Sequence, residues 1–207
     1  MKGCRPLTDD EWTRLFEAVT GLNGLRTKAL LILGVKTGFR VSELLSLRIK
    51  DLISDGKPVK RVTVLREHMK GGKIGRATSR TVLLHPATHD HILAQWRYLQ
   101  KQGFWRPDSF FFQSRKSGNT PITRQAAWRD INMAVQAIPL EGRIGTHGPM
   151  RKTFARQKLD YLRNRWEPGK EIPVQTLQRI TGHKSIDALM SYIEFADDDV
   201  EDAILNS

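Results

Sequence analysis

Several absences narrow the reading at once. The chain has one cysteine, Cys4, which excludes an intrachain disulfide framework and a cysteine-built metal cluster. Long apolar runs are missing too: the longest, "ALLILGV" (residues 29–35), is far too short to cross a bilayer. The opening "MKGCRPLTDDEW" lacks the apolar core of a secretory signal, so the chain reads as soluble and cytosolic. Internal repeats, low-complexity segments and linkers are absent. Acidic residues are scarce, with Asp+Glu at 22 against Lys+Arg at 34, a formal charge of +12. Such a surplus concentrates polyanions and points first to nucleic acid.

What is present suffices for a packed core: 207 residues, 39% of them hydrophobic. "PLTDDEWTRLFEAV" has a helix-start signature. Thr8 can cap, Asp9, Asp10 and Glu11 suit the first turn, and Trp12, Leu15, Phe16 and Val19 make one apolar face. "LRTKALLILGVKTG" reads as a central helix stopped at Gly38, with a short helix after it in "VSELLSLR". "PVKRVTVLREHM" and "SRTVLLH" change to strand character around the basic, glycine-rich "KGGKIGRAT", which predicts a β-hairpin with a basic tip. Helical periodicity returns after Pro86, with Ile92, Leu93, Trp96 and Leu99 inward. "SFFFQS" is a buried strand or extended segment, and a helix capped by Thr123 follows. The remainder reads as three helices: one starting at Pro149, one ended by Gly182 and one capped by Ser185. The expected class is α+β, mainly α-helical, with a small antiparallel sheet of about three strands.

The isolated candidates for chemistry are each ambiguous. Arg40 stands at a helix start, where it can meet a phosphate or simply pair with Glu43. Lys70, Lys73 and Arg76 lie on the hairpin tip and suit backbone contacts to DNA. His183 follows a helix-ending glycine, and Tyr192 stands nine positions later on an apolar-looking helix, where packing is the ordinary role. His85, His89, Asp90 and His91 lack a metal-ligand spacing. Asp197, Asp198 and Asp199 point in different directions around a helix, as a solvated acidic end would. No metal and no cofactor are expected.

In order, these residues run Arg, Lys, His, Arg, His, Tyr. "LTDDEWTRLFEAV", "LLILGVKTGFRVSELLSLRIKDL", "MKGGK", "THGPMRKTFA" and "LQRITGHKSIDALMSYIEF" together resemble the catalytic domain of the tyrosine recombinases, or phage integrases, over about residues 6–196. The resemblance implies that fold and a metal-independent breaking and rejoining of DNA through a 3′-phosphotyrosine. It assigns Tyr192 as nucleophile, Arg40 and Arg151 as clamps on the phosphate oxygens, Lys70 as proton donor to the leaving oxygen with Lys73 as the alternative, and His147 and His183 as phosphate or proton partners. Lys36, Lys70, Lys73, Arg76, Arg124, Lys152 and Lys184 are the expected DNA contacts. Implied partners are double-stranded recombination sites, three further copies in a synaptic tetramer formed from a monomer, and host DNA-bending proteins. A bacterial, phage or plasmid origin and a place at the nucleoid are implied as well.

Three departures accompany the resemblance. The family spaces the second box His-x-x-Arg, whereas His147 and Arg151 have three residues between them. The loop is expected to carry the extra residue, leaving Gly148 at the usual histidine position. Lys152 stands where many relatives have a second histidine. Residues 1–207 read as a single catalytic domain without the N-terminal domain that grips the other face of DNA, which resembles either the single-domain fimbrial inversion enzymes or a fragment of a longer integrase. Two rival readings stay open: a non-catalytic regulator with a helix-turn-helix at "VQTLQRITGHKSIDALMSYIEF", and a type IB topoisomerase.

Overall fold

The structure is a computed structural model and describes residues 4–65, 79–115, 118–142, 144–145, 147–183 and 185–190. Lys70, Lys73, Arg76, Lys184, Tyr192 and the acidic run 197–199 lie outside the described residues.

Local signals set most helix ends. Helix α1 (Asp9–Ala18) starts in a reciprocal capping box: Thr8 Oγ1 accepts from the Glu11 backbone N–H, and the Glu11 carboxylate accepts from the Thr8 N–H. Helix α2 (Gly24–Thr37) is buried nearly all round and stops at Gly38, whose φ of 63° is the left-handed conformation that glycine adopts without cost. Short helices α3 (Val41–Leu45) and α4 (Ile49–Leu52) follow.

The β-structure differs from the expected single sheet. Among the described residues, four short strands form two separate antiparallel pairs. Strand β1 (Ile53–Ser54) pairs with β2 (Lys57–Pro58) across Asp55–Gly56, both at positive φ (51° and 72°), as a two-residue type I′ hairpin turn requires. Strand β3 (Arg61–Val64) pairs with β4 (Arg80–Leu83) in the predicted hairpin, with Val62 opposite Val82. "SFFFQS" is extended rather than a named strand. Phe111 and Phe112 are fully buried there, and bridges join Arg48 to Phe110 and Gln113 to Pro121.

Helices α5 (His89–Lys101) and α6 (Arg124–Gln136) pack on α2 and α1. Together α1–α6 enclose the main core, which takes in Leu30, Leu31, Leu33, Phe39, Leu44, Ile92, Phe111 and Met150. Helices α7 (Thr153–Arg163), α8 (Pro173–Thr181) and α9 (Ile186–Met190) close over a second, smaller apolar cluster of Ala155, Leu159, Leu177 and Leu189. Two glycines let this second layer approach. A Cβ on Gly34 would lie 2.5 Å from Met150 Cγ, and one on Gly38 would lie 2.4 Å from the Phe154 ring. The seam between the two clusters is where the conspicuous charges gather.

Candidate active site

The segment leading into α7 contains the largest surprise. Residues Gly148–Lys152 form a π turn, in which the Lys152 backbone N–H donates to the His147 carbonyl at 2.9 Å, five residues back. Such turns take one more residue than an α-turn and are rare outside functional segments. The extra residue between His147 and Arg151 is therefore taken up inside the first helical turn, not in the loop as expected. The turn is held from outside: Trp12 Nε1 donates to the Pro149 carbonyl at 2.9 Å, and Thr153 Oγ1 donates to the Gly148 carbonyl at 2.7 Å. The same hydroxyl oxygen accepts from the Leu7 backbone N–H at 2.9 Å.

Gly148 does not replace the histidine. A Cβ there would strike the Arg5 carbonyl oxygen at 2.6 Å, so that position faces the N-terminal segment. His147, immediately before the turn, is the residue electrostatically coupled to Arg151, Arg40, Lys152 and Arg124. It is exposed by area but set in a crowded basic surface. Desolvation first, then those four cations, lower its imidazole below the ordinary histidine range.

Arg151 is 1% exposed and donates through Nη1 to the Gly38 carbonyl and through Nη2 to the Thr181 carbonyl at 2.8 Å. Those carbonyls lie at the C-terminal ends of α2 and α8, which have unpaired acceptors and a negative dipole end. One side chain thus ties both apolar layers together. Arg40, at the start of α3, donates through Nη1 to Glu43 Oε1 at 2.8 Å, and the other Glu43 oxygen accepts from the Arg40 backbone N–H. Glu43 is 1% exposed while the Arg40 side chain is 28% exposed. The pair is therefore no floating surface ion pair: a buried carboxylate aims a partly open guanidinium.

His183 sits just past α8. Its Nδ1 lies 2.6 Å from Thr181 Oγ1, whose own proton goes to the Leu177 carbonyl at 2.8 Å. The ring must therefore donate from Nδ1, leaving Nε2 as its acceptor nitrogen; this tautomer is assigned from the bonding pattern. Burial first, then Arg151, Arg40 and Arg80, push the imidazole down to about 4. The ring is thereby held in its neutral form at pH 7.

The sign for stability follows. An unfolded histidine titrates near ~6.5, so between that value and about 4 the unfolded chain binds the extra proton. Stability is complete above the upper value and is lost as pH falls towards the lower one. Allowing for solvent screening, roughly 2 kcal/mol of the acid sensitivity belongs to this residue. Urea unfolding at several pH values should show it as a flatter profile for His183→Asn between neutrality and mild acid. Parallel profiles would mean the imidazole is not held low.

Arg80, the first residue of β4, was not among the sequence candidates and yet belongs to this cluster. It donates to the Thr37 carbonyl at 2.6 Å and to the Thr181 carbonyl at 3.2 Å, and its guanidinium lies 4.6 Å from the Phe39 ring centroid. Its signal in the sequence is faint: a charge at the start of an otherwise apolar strand. Of the expected DNA contacts, Arg124 is exposed and couples to His147. Lys36 instead influences His85. Lys152 was also expected to contact DNA. It is only 7% exposed, because the π turn that carries it packs on α2.

The cluster thus joins Arg40, Arg80, Arg151, His147 and His183 to one buried carboxylate, Glu43, a setting suited to a bound anion. The model of the phage integrase family matches residues 5–198. The chain belongs to that family. It is similar to the putative integrase/recombinase y4eF of Sinorhizobium fredii, with 28% identity over 81% of this chain and 56% of that protein. It is also similar to the type 1 fimbriae regulatory protein FimE of Escherichia coli K12, with 32% identity over 63% of this chain and 60% of that protein. The chain therefore spans somewhat more than half of these relatives' lengths. Its fold is shared with the XerH site-specific recombinase bound to difH substrate, with a TM-score of 0.66, 20% identity and coverage of 99% of this chain and 54% of that one. No helix among the described residues of this integrase-family chain is long and apolar enough to cross a membrane.

Proposed function

We propose that the chain carries the catalytic function of a site-specific DNA recombinase, cutting and rejoining duplex DNA through a 3′-phosphotyrosine. The observation that supports this best is the gathering of sequence-distant boxes, around Arg40, His147, Arg151 and His183, into one basic cluster of an integrase-family chain. In this reading Tyr192 Oη attacks phosphorus, the bond to the 5′-oxygen breaks, and the phosphodiester energy stays in the new phosphotyrosine. The tyrosine proton passes to the acceptor nitrogen of His183, and Lys70 protonates the departing 5′-oxygen. Arg40 and Arg151 hold the non-bridging oxygens as charge builds on them, each such donor contributing ~3 kcal/mol. Arg40, partly open, makes first contact; Arg151 is reached only after neighbouring side chains part. His147 completes the oxygen contacts. This mechanism asks for no metal or cofactor.

The partner in this reading is a double-stranded recombination site, contacted by Arg124 and Lys36 and by the basic residues of the hairpin. Strand exchange between two sites assembles four copies, with DNA-bending proteins assisting, in the cytoplasm. The test is capture of a covalent adduct. Wild-type protein incubated with a pool of nicked, random-sequence duplexes should yield a denaturation-resistant species joined to a 3′-phosphate, and Tyr192→Phe should yield none. A wild type that captures nothing, or an adduct that survives Tyr192→Phe, would sink the reading.

A further inference from the structure

We propose that Arg80 is a positioning residue for this reaction, locking the Arg151 guanidinium through the Thr181 carbonyl that the two side chains share. The inference rests on the recombinase reading above. Arg80 Nη1 and Arg151 Nη2 both donate to that oxygen, at 3.2 Å and 2.8 Å. Their other Nη groups donate to successive carbonyls, those of Thr37 and Gly38, at the end of α2. Two guanidiniums thus bridge the same pair of helix C-termini side by side. The helix ends supply negative dipole to both, but the cations still repel each other, and neutral donors would tie the helices without that repulsion.

Arg80 is distinguished from Arg151 by its ring contact, since its guanidinium rests on Phe39 while both Nη groups donate to carbonyls and its Nε is buried without a partner. Burial, followed by the charge of Arg151, pushes its pKa down to about 10, as expected of a cation kept from solvent against a second cation. What Arg80 can do is hold Arg151 from behind and restrict the carbonyls that orient it. It also fastens the base of the β3–β4 hairpin to the same point, because it is the first residue of β4.

The test uses the full chain with the duplex recovered by wild-type capture. Arg80→Met should slow single-turnover adduct formation by about 100-fold at saturating DNA, the scale of a displacement of about one ångström in a catalytic group. Duplex affinity should be unchanged within error. Arg80→Lys should recover part of the rate, since an ammonium can serve one carbonyl but not both. In an Arg151→Lys background the Arg80→Met cost should shrink sharply, because the guanidinium it orients is gone. An unchanged rate in Arg80→Met, an affinity loss matching the rate loss, or equal cost in both backgrounds would each overturn the proposal. If Arg80→Met does not fold, Arg80→Lys and its double variant carry the same comparison. Should the wild type form no adduct at all, the recombinase reading fails separately, and NMR still reads the lock. Guanidinium proton exchange at Arg151 should be slower in wild type than in Arg80→Lys, and equal exchange would refute it.

Discussion

Arg151→Ala should slow formation of the covalent DNA adduct by about 10²–10³-fold, the cost of removing one oxyanion donor. It should also lower the unfolding free energy by about 2–4 kcal/mol. The second effect follows from the bonds the guanidinium makes in the free protein. Its loss strips the Gly38 carbonyl of this donor and leaves the Thr181 carbonyl only the longer bond from Arg80, and an unsatisfied buried acceptor costs ~1–3 kcal/mol. Relief of repulsion with Arg80 and Arg40 offsets part of that. Urea unfolding and single-turnover capture, both run well below the variant's melting point, separate the two. Arg151→Lys sharpens the comparison: it keeps the charge but cannot span two carbonyls with a planar fork. If Arg151→Lys retains the wild-type rate, a point charge suffices and the proposed clamp is wrong.

Gly38→Ala should be the most damaging change that touches no charge, with a loss of about 3 kcal/mol or more. The φ of 63° costs an L-residue about 1–2 kcal/mol. The added Cβ would also lie 2.4 Å from Phe154 Cδ1 and 2.6 Å from Cε1, so the ring must move out of the seam. Because Gly38 presents its carbonyl to Arg151, adduct formation should fall alongside stability. Combining the change with Phe154→Leu should recover the clash component and leave the backbone strain, seen as a partial rescue in urea unfolding. A Gly38→Ala chain within error of wild type would refute the packing argument.

Much of the fold was legible because its punctuation is local. Thr8 and Glu11 cap each other, Thr123 Oγ1 accepts from the Ala126 N–H, and Ser185 Oγ from the Ala188 N–H. Gly38 and Gly182 end helices in the left-handed conformation their residue type favours. The β1–β2 hairpin went unread: Asp55–Gly56 marks its turn, but two-residue strands carry almost no periodicity. The π turn was not legible. Apart from the adjacent Thr153, what holds or abuts it comes from the N-terminal segment (the Trp12 indole and the Arg5 and Leu7 backbone), so "HGPMRK" alone does not announce it. The burial of Lys152 was hidden for the same reason, since it is set by packing on α2 and not by its own neighbours. Arg80 escaped because its partners are backbone carbonyls, which leave no trace in residue identity.

The π turn alters what a motif interval means in this chain. A rule that counts residues between a histidine and an arginine measures contour length, whereas an anion senses only the span between their side chains. By closing a wider ring of backbone, residues 147–152 absorb an insertion and keep His147 coupled to Arg151. A search that demanded the shorter interval would discard this sequence, although His147 still lies within reach of the Arg151 charge.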